Sequence, residues 1–538
     1  MLKIGAGIYK DWKDRLTFKS YKSDWTDALS YRVLPSTIEI FFNNLLPAIA
    51  FSQDLSNRTS YQYGINEILL SQGISGLLFG LAGYPLSIVG VSAPSCILCY
   101  TIYNIFVDKQ TNIPKTKYDD GFEFFPFMFW VYLWSAIFTF LSSIFNFLSF
   151  FQYVTVFPCD IFGLFINVVY VVKGCQLLGE SFHKNDTLDH VADGFGNITI
   201  ALCMTFFGLL AKNITSTRLF NHKIRIIIKD YCIFISVIFW SGVIHFGNAF
   251  KFVHFEKLNI SKSFEPTSKA RNSSWLAVNH SISAKYVFLA LPFGIIVWIL
   301  LFFDHNISSL MAQSHEYKLK KKSMYNWDFC LLSVHTFLCG ILGLPAGHCL
   351  IPQSFIHTET LIIYKDAKKE KKTDEVNADD SANIYISGVV EQRFTNSMQG
   401  LLMIVCMCRP FLVCLNQIPQ CVLSGLFFIL GIGGIQGNAI IARILFLLSD
   451  YKTGSLEQVK ASKLFLFAMI SVFFAVIEVL ISQLDYVSIA FPIILIISIF
   501  VIFFLKYIFT NEELEILDNK VVSRESIKNL LPENLNHY

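Results

Sequence analysis

The sequence predicts an all-α polytopic membrane protein, and three observations carry that prediction. Of its 538 residues, 54% are hydrophobic and only 15% charged, against a usual charged share of about 25% in soluble domains. Apolar stretches of about 18 residues or more recur from Ser36 to Phe509, each long enough to cross a hydrocarbon core roughly 30 Å thick. The first twenty residues, "MLKIGAGIYKDWKDRLTFKS", are rich in charge and carry no apolar signal core, so insertion is expected to rest on the first span itself.

The same composition excludes other classes. A soluble chain of this length would divide into several domains with polar surfaces between them. The net charge of +3, with bases dispersed in short loops, predicts no nucleic-acid partner. Most of the 13 cysteines fall within apolar segments; Cys406 and Cys408, the nearest in sequence, read as small apolar filler rather than metal ligands. No nucleophile–base pair, metal cluster or phosphate loop stands outside the spans, so neither an enzyme nor a cofactor is expected.

Long apolar segments lie near 36–56, 63–84, 123–146, 152–173, 195–211, 231–249, 286–312, 327–344, 395–415, 418–447, 462–483 and 484–508. Two more, near 86–106 and 343–364, are apolar but broken. Together they predict about fourteen crossings with both termini on one side. Basic runs such as "EYKLKKKS" and "KDAKKEKK" share that side and mark it as cytoplasmic. On this map the sequons at Asn57, Asn185, Asn259, Asn272 and Asn279 face outward, while that at Asn306 is inside a span. Residues 365–392 read as a solvated loop, and the tail from Asn511 as one short amphipathic helix outside the membrane.

The two broken segments point to the function. In "LSIVGVSAPSCILCYTIYNIF", Gly90 interrupts and Pro94 stands where a helix would begin. A helix from there to Phe106 runs only about 20 Å, too short to cross. The preceding β-branched residues suit an extended strand. "LGLPAGHCLIPQSFIHTETLIIY" has the same grammar, with breaks at Gly343, Pro345 and Gly347 and a helix start at Pro352. Two strand-then-half-helix segments at matching places predict a transporter built as an inverted repeat, with a site near mid-membrane. Each half-helix directs about half a positive charge at the bilayer centre, so the pair suits an anion. The alternative is a proline kink in each of two ordinary helices.

Asp304, in "FFDHNISSL", lies within the first span of the second half. A carboxylate at that depth costs about 2.5–3.5 kcal/mol on insertion scales, which marks it as a candidate site residue. Ser308, one turn on, shares its face. Protonated, Asp304 donates a hydrogen bond; ionised, it repels an anion or holds a cation, so it can couple transport to a proton or cation. His305 points about 100° away and reads as a packing residue, and Asn43 and Asn44 as bridges between helices.

"FFNNLLPAIAF", "GYPLSIVGVSAP", "FFDHNISSLMAQ", "GLPAGHCLIPQSFIHTETL", "VEQRFTNSMQGLLM" and "QIPQCVLSGLFFILGIGGIQGN", in that order, resemble the blocks of the bicarbonate-transporter (anion exchanger) superfamily, and within it the fungal and plant boron transporters. The resemblance covers nearly the whole chain. It implies seven-plus-seven inverted repeats, usually as a homodimer in a lipid bilayer. A core of crossings 1–4 and 8–11 (36–146 and 284–415) would move against a gate of crossings 5–7 and 12–14 (147–250 and 416–509). Residues 1–35 and 510–538 would be cytoplasmic and 251–283 an outer loop. By position, Asp304 corresponds to the acidic residue beside the substrate. Gln353 stands where chloride–bicarbonate exchangers have arginine and boron transporters have glutamine. The implied substrate is borate, exported across the plasma membrane or, as a second location, the vacuolar membrane.

Two departures from the family pattern bear on the site. Gly-Pro at the first half-helix is here Ala93-Pro94, and "LPAPNGLIPQ" is here "LPAGHCLIPQ", placing His348 beside the site. The candidate substrate-binding residues are thus Ala93, Pro94 and Ser95 on the first half-helix, His348, Pro352 and Gln353 on the second, and Asp304 and Ser308 on the span between. Alternatives to borate export are another inorganic anion such as bicarbonate, and a weakly transporting membrane scaffold or trafficking protein.

Overall fold

Hydrocarbon offers the backbone no hydrogen-bond partners, and the chain answers with helices over most of its length. The computed structural model describes residues 4–108, 111, 114–115, 122–180, 182, 188–217, 219–246, 250–258, 260, 262–277, 282–313, 317–366, 384–450 and 455–518. The first half comprises α1 (Ala6–Arg15), α2 (Phe18–Thr26), α3 (Val33–Arg58), α4 (Ile65–Ala82), β1 (Val89–Gly90), α5 (Ala93–Phe106), α6 (Phe124–Ile144), α7 (Val156–Glu180), α8 (Leu188–Lys212) and α9 (His222–Val243). The second comprises α10 (Ala284–Ala312), α11 (Tyr325–Leu342), β2 (His348–Cys349), α12 (Ile351–Thr360), β3 (Ile362–Asp366), β4 (Ile384–Val389) and α13 (Phe394–Val405). It continues through α14 (Arg409–Asn416), α15 (Gln420–Gln436), α16 (Ala439–Leu448), α17 (Ala461–Ser482), α18 (Phe491–Ile508) and α19 (Asn511–Leu517).

Among the described residues, eight helices are long and apolar enough to cross a membrane, or up to ten if two bent pairs each count as one span. Those pairs correct the expectation of unbroken crossings at 395–415 and 418–447. α13 and α14 meet at 84°, and α15 and α16 at 62°. Pro410 sits in the first turn of α14, where its missing N–H does no harm. Asn438 starts α16, its Oδ1 accepting the Ile440 N–H at 2.9 Å. The other expected crossings are α9, α11 and the short helices α5 and α12.

Packing follows two groups of helices. α4 lies on α13, and α6 on α10 and α11; α7 lies on α15 and α17, and α8 on α9 and α15. α4 and α13 approach backbone to backbone: a Cβ on Gly76 would stand 2.6 Å from Gly400 Cα. Small residues permit such contact where no hydrophobic effect drives helices together.

The segment before the first span is not a solvated strand of charges. Arg15 and Asp24 form a fully buried ion pair at 3.0 Å, and Asp24 also holds Arg393 at 2.9 Å and Lys321 at 2.6 Å. Asp11 Oδ2 accepts the N–H groups of Asn326 and Trp327, at the start of α11, at 2.8 and 3.0 Å.

One further expectation is corrected. The second half-helix stops at Thr360, and its β-branched continuation forms β3, paired antiparallel with β4; part of the stretch read as a solvated loop is therefore a hairpin, and residues 367–383 lie outside the described residues. The Asn57 sequon lies in the last turn of α3, and its amide donates to Glu180 Oε2 at 2.9 Å. Asn272 is exposed at a left-handed backbone position (φ 46°), whereas Asn185, Asn259 and Asn279 lie outside the described residues. In the tail, α19 opens with a capping box of Thr510 and Glu513. The next residue after it, Asp518, accepts the Phe157 N–H at 2.8 Å and ties the tail to the start of α7.

Candidate functional site

The two broken segments cross as a two-residue antiparallel ladder, with Val89 opposite Cys349 and Gly90 opposite His348. The crossing needs bare backbone: a Cβ on Gly347 would stand 2.8 Å from the carbonyl carbon and oxygen of Gly90. Each strand turns at once into a helix. Ser92 caps α5, with Pro94 in the first turn, and Leu350 precedes α12, with Pro352 in the first turn.

Long α3 shows that the half-helices run in opposite directions. At its start, Ser36 Oγ is 2.7 Å from Thr360 Oγ1 at the end of α12. Near its end, Asp54 Oδ2 is 2.9 Å from Lys173 Nζ, which stands 3.4 Å from the Tyr100 hydroxyl of α5. Between them, Gln353 Nε2 donates to the Asn43 carbonyl at 3.4 Å. Asn43 lies roughly 15 Å along a helix of roughly 39 Å, so the half-helix N-termini meet at an intermediate depth. Two macrodipoles then aim their positive ends at one region.

Asp304 reaches that region from α10. It is 1% exposed, and its Oδ2 lies 3.2 Å from His348 Nε2. The same imidazole nitrogen is 2.6 Å from Ser92 Oγ, so a side chain of the second broken segment touches the cap of the first half-helix. Ser92 Oγ also takes the Ser95 N–H at 3.4 Å. Gln353 is 7% exposed, and its Oε1 has no hydrogen-bond partner.

Asp304 and His348 are thus brought together against Ser92, beside Ala93 and Pro94, while Gln353 faces the site from the first turn of α12. Pro352 is exposed. Ser308 shares the Asp304 face; its hydroxyl donates to the Asp304 main-chain oxygen at 2.6 Å and also lies within hydrogen-bond reach of the carboxylate. Ser95 lines a small void of about 10 Å³ with Cys99, Tyr132 and Ala346. His305 packs between Phe79 and Phe329 and also accepts the Cys349 N–H through Nδ1 at 3.2 Å, which holds β2 in place. Asn44 bridges helices as expected, donating to Gln399 at 3.0 Å.

Sequence reasoning missed three features. Ser92 stands directly before Ala-Pro, the position where a cap residue belongs. Asp54 and Lys173 are charges inside apolar segments, the same kind of signal that singled out Asp304. Cys96 and Cys99 form a C-x-x-C pair on α5; both are buried free thiols. No group of His, Cys, Asp and Glu fit to hold a metal occurs among the described residues.

Comparison with known proteins agrees with this architecture. Residues 3–200 and 193–522 match the family described as the HCO3⁻ transporter integral membrane domain. The chain is 47% identical over 539 residues to Boron transporter 1 of Saccharomyces cerevisiae, covering 99% of this chain and 88% of that protein. It is 39% identical to a putative transporter of Schizosaccharomyces pombe, covering 96% of each. The transmembrane domain of a cyanobacterial bicarbonate transporter, BicA, superposes with a TM-score of 0.50 at 11% identity, over 84% of this chain and 98% of that one, a likeness of fold alone. With matches spanning nearly its whole length, the chain belongs to the HCO3⁻ transporter family of integral membrane proteins, whose members move anions across membranes and are not enzymes.

Proposed function

We propose that this protein exports borate from the cytoplasm by alternating access, with the anion held between the N-termini of α5 and α12. The observation that carries this reading is Gln353. Its buried Oε1 has no partner, and borate is an anion whose four hydroxyls need acceptors as well as donors. The half-helix N-termini supply donors and partial positive charge; the amide oxygen supplies the acceptor, which an arginine could not. The 47% identity to Boron transporter 1 supports the same substrate. Ala93 and Pro94 would bound the site on the α5 side, with Ser95 and Ser308 behind them, Pro352 opposite, and Asp304 as the coupling group.

The remainder of the reading concerns the whole chain. The fourteen segments form a seven-plus-seven inverted repeat, in which residues 36–146 and 284–415 make the core and 147–250 and 416–509 the gate. Both termini are cytoplasmic, as the lysine pattern indicates, and the protein works as a homodimer in the plasma membrane. The open flank of α12, where Pro352 and Phe355 are exposed, then faces the cytoplasm, which supports an inward-accessible state.

The test is expression in boron-sensitive cells that lack an exporter. The wild-type chain should lower intracellular boron and restore growth, and Asp304→Ala, present in the membrane at equal amount, should do neither. Unchanged boron with a correctly placed wild-type protein would sink the borate reading. Bicarbonate is the second reading, favoured by the family description; flux of that anion without borate flux would establish it.

A further inference from the structure

The hydrogen bonds of His348 do not close unless its pair with Asp304 carries an additional proton. Nδ1 stands 3.1 Å from the Cys349 carbonyl oxygen, which only accepts, so Nδ1 carries a hydrogen. Nε2 has two neighbours, Ser92 Oγ at 2.6 Å and Asp304 Oδ2 at 3.2 Å. On a neutral ring with hydrogen at Nδ1, Nε2 is a bare lone pair. The Ser92 hydroxyl can donate to it, but an ionised Asp304 oxygen beside it is a second acceptor with no hydrogen between. Both side chains are buried, and Oδ2 has no other hydrogen-bond partner; an unmatched carboxylate oxygen is costly there.

One proton resolves the conflict wherever it rests. On Nε2 it makes an imidazolium paired with a carboxylate; on Oδ2 it makes a carboxylic acid that donates to a neutral ring. The net charge of the pair is zero in both cases. When the proton leaves, one negative charge remains where the two half-helix N-termini would receive an anion.

We infer that Asp304 and His348 hold one proton in common and that an anion occupies the site only while that proton is present, so His348 sets the pH above which flux falls. This rests on the anion site proposed above. The other titratable groups facing the pair are Tyr170 from α7, His335 from α11, His305 on α10 itself, and the Cys349 thiol. Tyrosine and thiol side chains ordinarily stay protonated near neutral pH. His305 accepts the Cys349 N–H and His335 Nε2 faces the Ser71 carbonyl at 3.2 Å, bonds that suit neutral rings. Among the described residues, no lysine or arginine forms an ion pair with either member. Asp304 and His348 are therefore the two groups left to exchange a proton.

The experiment uses the full chain in proteoliposomes, with equal pH on both faces and borate flux followed from pH 5 to 9. Wild-type flux divided by the borate anion concentration at each pH should fall as pH rises. Whatever its peak flux, His348→Asn should have its midpoint displaced by at least about one pH unit to lower pH. The proton then rests on a carboxyl group, which ordinarily titrates about 2.5 units below imidazole. Borate's own titration is common to both proteins and cancels in their ratio. An unchanged midpoint in His348→Asn overturns the inference. Should that variant not reach the bilayer, His348→Gln takes its place. If the wild type carries bicarbonate and not borate, the borate reading fails, and the bicarbonate curve decides the midpoint instead. An infrared pH titration of the purified protein gives the midpoint with no transport at all. Bands that vanish in Asp304→Asn must shift in His348→Asn, and bands that stay fixed there also overturn the inference.

Discussion

α5 and α12 share one grammar and two different fates. Every residue of α5 except Ile105 is buried. Its flank is tied to the other helix group by Lys173 at the Tyr100 hydroxyl and by Thr101 Oγ1, 2.6 Å from Ser488 Oγ. α12 buries only Gln353, Ser354, His357 and Thr358, and Phe355 is 37% exposed. Their first turns differ too: Ser92 puts an acceptor on the first turn of α5, whereas Leu350 puts none on α12. Equal helix dipoles thus meet unequal surroundings. One N-terminus is capped and sealed, and the other is left uncapped beside an unpartnered amide oxygen, so the anion should be held chiefly by α12.

The largest test breaks the seal on α5. Asp54 pairs with Lys173 at 2.9 Å and with Arg58 at 3.0 Å, and Lys173 is 2% exposed. Asp54→Ala leaves that ammonium with the Tyr100 hydroxyl, a loss on the order of 3–5 kcal/mol for a buried pair deprived of one partner. Thiol labelling reads the consequence, in a background without the exposed Cys175 and Cys414. Phe355→Cys should react at once and Thr101→Cys should not, until Asp54→Ala is added. A Thr101→Cys thiol that stays silent in that background would show that the seal lies elsewhere.

Next is the crossing that both half-helices depend on. Gly347→Ala drives a Cβ to 2.8 Å from the Gly90 backbone, and overpacking of this kind costs about 1–3 kcal/mol. Since Gly90 and Gly347 hold both strands, thermal stability and anion flux should fall together. A variant with lowered stability but normal flux would show that the ladder is scaffolding that the site can do without.

How far the site could be read from the chain depends on the range of each interaction. The break at Gly90, the start at Pro94 and the start at Pro352 are local backbone chemistry, and they were legible. So was Asp304, because an acid inside an apolar run is costly wherever the run packs. The contact of His348 with Ser92 spans 256 positions and exists only because Gly90 pairs with His348, a register that no local pattern sets. The bends after Val405 and Gln436 escaped for a related reason: hydropathy does not register the direction of a helix, only its content.

Gln353→Arg then sharpens the claim that α12 reads the anion. The arginine adds donors and charge but removes the acceptor, and an unmatched buried hydroxyl costs about 1–3 kcal/mol. Borate flux in vesicles should drop by roughly five- to a hundredfold, while bicarbonate, with more bare oxygen for a guanidinium fork, competes better. Unaltered borate flux would mean that this position does not read the substrate.

The smallest effect belongs to the caps, and it distinguishes the two N-termini directly. Ser92→Ala removes the acceptor for the Ser95 N–H, a loss of about 1 kcal/mol for a helix cap. It should lower thermal stability slightly. Leu350→Ser does the opposite to α12. A hydroxyl at the position before its first turn would take the Gln353 N–H, as cap residues do with the third helical residue. That N–H would no longer be free to meet an anion. Leu350→Ser should therefore raise the half-saturating borate concentration severalfold, and Ser92→Ala should not. If the two substitutions weaken borate equally, the half-helices hold the anion alike, and the asymmetry between a capped α5 and an uncapped α12 has no part in binding.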